Sequence, residues 1–198
     1  MEESQMSTLK ELGMKKDWLY EVVLSSFDKN TPHAAPFGVK TTDFNLVTIE
    51  MYKGSNTLKN ILTYKEFVLN TIDDPVIFYQ ALYDREKINF GLAKMINAPV
   101  LTDSPASIEV RLVNSIDLGQ CFMIDAAVVY VHIRHRSELI NRAKGLVFES
   151  LIMATRMPHL AERKPEELLR ENYRIIKKVA PGSKYEWVMQ ELLNKCGR

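Results

Sequence analysis

Ser107-Ile108-Glu109-Val110-Arg111-Leu112-Val113-Asn114-Ser115-Ile116 alternates apolar and polar residues, so an extended chain carries Ile108, Val110 and Leu112 on one face and Glu109 and Arg111 on the other. The longer, more apolar run Cys121 to Ile133 follows it. Together they read as the closing strands of a β-barrel or sandwich. Upstream, Leu19 to Leu24 is β-rich, and Ser26 to Pro32, with Asp28, Asn30 and Pro32, marks the turn of a hairpin. Ala34 to Val39, Leu46 to Tyr52 and Phe67 to Thr71 are again short and rich in β-branched or aromatic residues. Two helices interrupt this pattern. Ser55 to Tyr64 has Leu58, Ile61 and Leu62 at helical spacing behind the candidate caps Ser55 and Asn56, and Asp73-Asp74-Pro75 starts a helix over Val76 to Tyr83.

From Ser137 the period becomes helical, with Leu139, Ala143, Leu146, Val147, Ser150, Leu151 and Ala154 on one face and Pro158 as the stop. Pro165-Glu166-Glu167 opens a helix to about Val179, and Pro181-Gly182 breaks it. Ser183 and Glu186 have the spacing of a capping box for a last helix to about Cys196. Strands first and helices afterwards predict an α+β protein: an antiparallel β domain over residues 1–136 and a C-terminal helical segment over 137–198.

The 198 residues are 46% hydrophobic, enough for a proper core, and 26 basic against 25 acidic side chains leave a net charge of +1. No global field therefore argues for nucleic acid or an anionic membrane as a partner. Met1 to Lys16 contains acidic residues and no apolar run of signal-peptide length, and no stretch approaches a membrane span, so a cytoplasmic location is expected. Cys121 and Cys196 stand far apart with no CxxC or Cys/His cluster, which points to packing thiols rather than a disulfide or zinc site. His132 and His135 with Arg134 and Arg136 form a basic cluster that lacks a third metal ligand and reads as a surface patch. Neither Gly-x-Ser-x-Gly nor His-Glu-x-x-His occurs, so nothing supports hydrolase chemistry.

Two stretches carry the functional reading. His33-Ala34-Ala35-Pro36-Phe37-Gly38-Val39-Lys40 gives up side-chain packing in a strand; it is either an edge strand with a bulge or a backbone surface against which something flat lies. His33 beside it is a turn histidine or a proton donor. Lys53-Gly54-Ser55-Asn56-Thr57 follows a strand and opens a helix, bringing backbone N–H groups, two hydroxyls and an ammonium together. It is a phosphate cradle or an ordinary cap, and it lacks Walker spacing. On the long helix Arg142, Glu149 and Arg156 recur every seven residues; this stripe is a solvated face or one that reaches a cofactor anion or a dimer partner.

Ala35-Pro36-Phe37-Gly38-Val39, then Tyr52-Lys53-Gly54-Ser55-Asn56-Thr57 with Asn60-Ile61, then Phe67-Val68-Leu69-Asn70 resembles the flavin reductase-like FMN-binding split barrel. With Asn141-Arg142-Ala143 and Ala154-Thr155-Arg156 added, the chain is similar to the DUF447 family of uncharacterised, largely archaeal proteins, over roughly residues 15 to 196. The resemblance implies a six-stranded Greek-key split barrel that pairs into a homodimer with FMN at the seam. By position, Pro36, Phe37, Gly38, Val39 and Lys40 would lie along the flavin, Ser55 to Thr57 would hold the phosphate beside Lys53 and Gly54, and Asn70 would close the site. The family offers no catalytic residue to carry over. The implied function is an FMN-binding redox protein, a reductase using a nicotinamide, deazaflavin or pterin donor; the alternative is a non-catalytic module that stores FMN or another phosphorylated ligand.

Overall fold

The computed structural model describes residues 8–156 and 164–196. They form two compact units: the chain up to Lys16 with Tyr20–Ile140, and Asp17–Leu19 with the chain from Asn141 onward. The boundary falls after Ile140 rather than at Arg136, because Ile140 still belongs to the first unit: its carbonyl accepts from Glu21 N at 2.9 Å and its side chain packs on the cluster of Val23, Ala34 and Ile72.

In the first unit, strands β1 (Tyr20–Asp28), β2 (Thr31–Lys40), β3 (Leu46–Tyr52), β4 (Glu66–Thr71), β7 (Ala106–Asp117) and β8 (Cys121–Ile133) close into an antiparallel barrel of order β1-β2-β3-β8-β7-β4. The first four lie in the spatial order 4-1-2-3, which is a Greek key. The β7–β8 hairpin then fills the gap between β4 and β3 and so closes the sheet on itself. Alternate residues such as Val47, Ile49 and Met51 on β3 are buried, as a half-covered strand requires. The first hairpin is tighter than its composition suggests. Asp28 pairs with Thr31, so the turn is Lys29-Asn30, with Lys29 at φ 58°, and both strands run to its edge.

Helix α1 (Asn56–Tyr64) closes one mouth of this barrel. Thr57, Leu58, Asn60 and Ile61 are its buried residues. Helix α2 (Val76–Tyr83) buries Ala81 in the cluster that contains Val23 and Ala34. A two-stranded ribbon, β5 (Phe90–Leu92) and β6 (Pro99–Leu101), was not legible in the sequence. It covers the outer face of β4, where Val68 packs with Ile96, Ala98 and Val100. For the same reason Glu109, expected on the outer face of β7, is only 2% exposed: its carboxylate accepts from Lys94 N and Met95 N, both at 2.7 Å. A buried carboxylate is tolerated only with such partners.

The second unit packs α3 (Ala143–Arg156), α4 (Lys164–Val179) and α5 (Lys184–Cys196) around Ala143, Val147, Leu169, Ile176, Val179, Ala180 and Met189. The helix expected from Ser137 begins only at Ala143. Asn141 stops it from starting earlier by capping with Oδ1 on Ala143 N at 2.9 Å, while its Nδ2 donates to Leu19 O and Val179 O. Ser183 caps α5 through Glu186 N as expected, but Glu186 returns its carboxylate to Gly182 N at 2.7 Å, one residue before the cap. No described helix is long and apolar enough to cross a membrane.

Candidate functional site

Strand β2 is paired with β1 along its whole length, from Thr31 to Val39, but with β3 only at Val39 with Ile49 and Lys40 with Thr48. Beyond that point β3 stays with β8, through Tyr52 with Cys121. The barrel wall therefore forks, and the backbone of Ala35–Gly38 is left without a strand partner on its β3 side. Proline is compatible with such an edge, since it has no N–H to donate. Across the fork the chain turns through Lys53-Gly54-Ser55 into α1, with Gly54 at φ +83°, a conformation side chains disfavour.

The turn is a working helix cap. Ser55 Oγ accepts from Leu58 N at 3.2 Å, leaving its own O–H and the N–H groups of Asn56 and Thr57 as donors. Lys53 is held at the rim: its N–H donates to Gln120 O, and its ammonium lies 2.8 Å from Asp117 Oδ2 and 5.4 Å over the Phe122 ring. Lys53 and then Gly119 N hold the Asp117 carboxyl below its usual range by hydrogen bonding to it. Neither Asp117 nor Gln120 was singled out in the sequence, because only the β3–β8 register brings their hairpin end to Lys53.

Several expected ligands are otherwise engaged. Thr57 is 2% exposed and its Oγ1 lies 3.0 Å from His33 Nε2, so its hydroxyl faces the barrel mouth and only its N–H is left for an anion. Asn60 Nδ2 reaches Ser26 Oγ at 3.3 Å in the same buried plug. Val39 is buried and paired with both Tyr20 and Ile49, so neither its side chain nor its backbone is open; Phe37 and Gly38 are half-buried and Lys40 is exposed. Asn70 is fully buried: Nδ2 donates to Val23 O and Ser25 Oγ, both at 2.9 Å, and Oδ1 accepts from Leu101 N at 3.0 Å. In the ladder Asn70 pairs with Val23 and Val23 with Pro36, so it stands two strands from the fork as a tie between β1, β4 and β6. Arg142 is exposed and precedes α3 in the second unit, whereas the side chain of Arg156 lies outside the described residues.

His33 is a strand residue, not a turn residue. Burial, and then the Arg85 guanidinium, pushes its imidazole below the ordinary histidine value against the opposing pull of Asp28. The folded state thus prefers neutral His33. As the pH falls through the unfolded value, about 6.5, the unfolded chain binds the proton first and stability drops, levelling off below the folded value. Urea titrations of wild type and His33→Gln between about pH 7.5 and 5.5 should show the difference between them shrinking as acid is added. A pH-independent difference would contradict a neutral, buried His33. Among the described residues, no group of His, Cys, Asp and Glu side chains could hold a metal ion.

The family model described as protein of unknown function (DUF447), N-terminal domain, matches residues 20–135, more than half of the chain. The chain belongs to the DUF447 family. A solved DUF447 structure, the FMN-bound protein MM1853 from Methanosarcina mazei, is 22% identical, with 94% of this chain and 98% of that one covered and a TM-score of 0.57. The flavin reductase PheA2 is 18% identical over 60% of this chain and 81% of its own, with a TM-score of 0.51. The 2-nitrobenzoate 2-nitroreductase of Pseudomonas fluorescens is 22% identical over 68% and 76%, also with a TM-score of 0.51. At these identities the likeness is one of fold: the six-stranded antiparallel barrel with C-terminal helices of this DUF447 chain matches FMN-binding split barrels.

Proposed function

We propose that the chain binds FMN at the fork, with the ring system against the backbone of Pro36 to Gly38 and the phosphate at Lys53 to Thr57, and that it is a redox protein. The observation that carries this is the early end of β2–β3 pairing opposite a helix-opening turn, which sets unpaired backbone and free N–H donors on two sides of one gap. The FMN bound to the Methanosarcina mazei relative supports it. The Ser55 hydroxyl, the N–H groups of Asn56 and Thr57 and the Lys53 ammonium would hold the phosphate; Thr57 Oγ1 and Asn70 are left out of this cradle. Bound FMN would supply the electron chemistry. The chain's part is to orient the ring and keep water from one of its faces.

The reading includes a homodimer. Tyr52, Val113 and Leu118 expose 74%, 61% and 55% of their surface around the hairpin end that touches Lys53, and the outer edge of β7 has no strand partner beyond Arg111. A second copy covering this apolar rim would complete the site, and light scattering of the flavin-loaded protein should give twice the chain mass.

The visible spectrum of purified protein, before and after denaturation, tests cofactor identity. FMN should also bind about tenfold or more tightly than riboflavin, since each charge-assisted hydrogen bond to the phosphate contributes roughly 1.5–3 kcal/mol. Ser55→Gly separates ligand from cap, because glycine at an N-cap costs only a few tenths of a kcal/mol. The variant should lose much of the preference for FMN while riboflavin affinity stays unchanged; equal losses for both flavins, read by fluorescence quenching, would mean that Ser55 only caps its helix. Anaerobic mixing with NADH, NADPH or a reduced deazaflavin separates redox protein from carrier. The former bleaches rapidly and the latter does not.

A further inference from the structure

We propose that His33 reads the charge of the ligand at the Lys53–Thr57 turn: its imidazole holds a proton when a phosphate dianion occupies that turn and gives it up when the turn is empty or the ligand is riboflavin. His33 is then a positioning residue that acts on the phosphate through Thr57, an inference that rests on the flavin reading above.

Two polar rungs dock helix α1 on the barrel. His33 on β2 and Ser26 on β1 are partners in the β1–β2 ladder, and each meets one residue of α1: His33 Nε2 lies 3.0 Å from Thr57 Oγ1, and Ser26 Oγ accepts from Asn60 Nδ2 at 3.3 Å. Thr57 and Asn60 stand three residues apart and so share a helix face. All four side chains are buried. The Ser26–Asn60 rung uses groups that do not titrate, whereas the His33–Thr57 rung places a titrating ring against the helical turn whose N–H groups lack intrahelical acceptors. Docking alone does not require an imidazole there.

The charged groups that act on His33 come from two elements. Asp28, at the end of β1, favours the imidazolium; Arg85, held just after α2 by its Nε donating to Ala81 O at 2.9 Å, opposes it. Helix α1 contributes the uncharged Thr57 hydroxyl and the positive end of its dipole. With burial, this balance keeps the ring neutral in the empty protein. A dianion at that helix end cancels the dipole and reverses the sign of the local field, which favours the charged ring. Both nitrogens of an imidazolium donate, so Nε2 then donates to Thr57 Oγ1 and fixes the residue whose N–H faces the phosphate. By linkage FMN binds with proton uptake, and the contribution of His33 is full where the ring is charged and lost as the pH rises through its value in the complex.

The full chain carrying nitrogen-15 histidine tests this without a substitution. Followed by NMR from about pH 5.5 to 8.5, the His33 ring should titrate at higher pH in FMN-saturated than in riboflavin-saturated protein, where it should behave as in the empty chain. His33→Gln keeps a hydrogen-bonding side chain that cannot take up a proton. The affinity ratio of FMN to riboflavin in wild type, divided by that in His33→Gln to remove the phosphate's own ionisation, should fall roughly three- to tenfold between about pH 6 and 8. Identical titration of His33 with both flavins, or a divided ratio that does not change with pH, while FMN is still preferred, would overturn the proposal and leave the phosphate site standing. Equal affinity for the two flavins at every pH would overturn both.

Discussion

Asn70→Ala is expected to cost about 3–5 kcal/mol of stability and, for a chain of this length, roughly 6–20 °C in Tm. Leu101 N–H would be left buried with no acceptor, a penalty of about 1–3 kcal/mol, and the bonds to Val23 O and Ser25 Oγ would add roughly 1 kcal/mol each. Ser25 keeps its hydrogen bond to Pro99 O at 2.6 Å, so the β6 end would loosen but stay attached. Amide exchange at Leu101 should therefore quicken more than exchange at Val47 in β3. Flavin affinity, corrected for the fraction folded, should stay near wild type, since Asn70 stands away from the fork. A variant of unchanged stability with weakened flavin binding would return Asn70 to the ligand site.

Gly38→Val is expected to do the reverse: flavin affinity falls by about ten- to a hundredfold for FMN and riboflavin alike, while stability changes little. Gly38 sits on the last stretch of β2 before pairing with β3 begins, opposite Glu21 on β1, where a β-branched residue suits the strand. A branched side chain there would occupy the space proposed for the ring, and overfilling a close contact costs about 1–3 kcal/mol, or roughly one to two decades in affinity. Since the clash is with the ring system, removing the phosphate should not relieve it. Losing FMN while retaining riboflavin would place the ring elsewhere, and an unfolded variant would make Gly38 a structural residue.

These two positions divide what the sequence carries from what it does not. Alternation along Ser107–Ile116, the turn residues and the change to helical periodicity at the C-terminal end are local signals, and they marked the six barrel strands and the approximate positions of the five described α-helices. The motif order around Pro36, Ser55 and Asn70 further identified the barrel family. A local pattern reports which face of a strand is apolar, and says nothing about which strand lies beside it. The fork exists because β2 and β3 part after two residue pairs, and that is a matter of register between strands. Thr57 and Asn70 carry the residue types of ligands, but register and packing direct them to His33, Val23, Ser25 and Leu101. Glu109 has an outward position in its strand and is buried only because the β5–β6 ribbon folds back over it, through backbone N–H groups distant in sequence. Hydrogen-bonding capacity belongs to the side chain and is written in the sequence; the partner that takes it up is chosen by long-range contacts, and only the tertiary structure decides those.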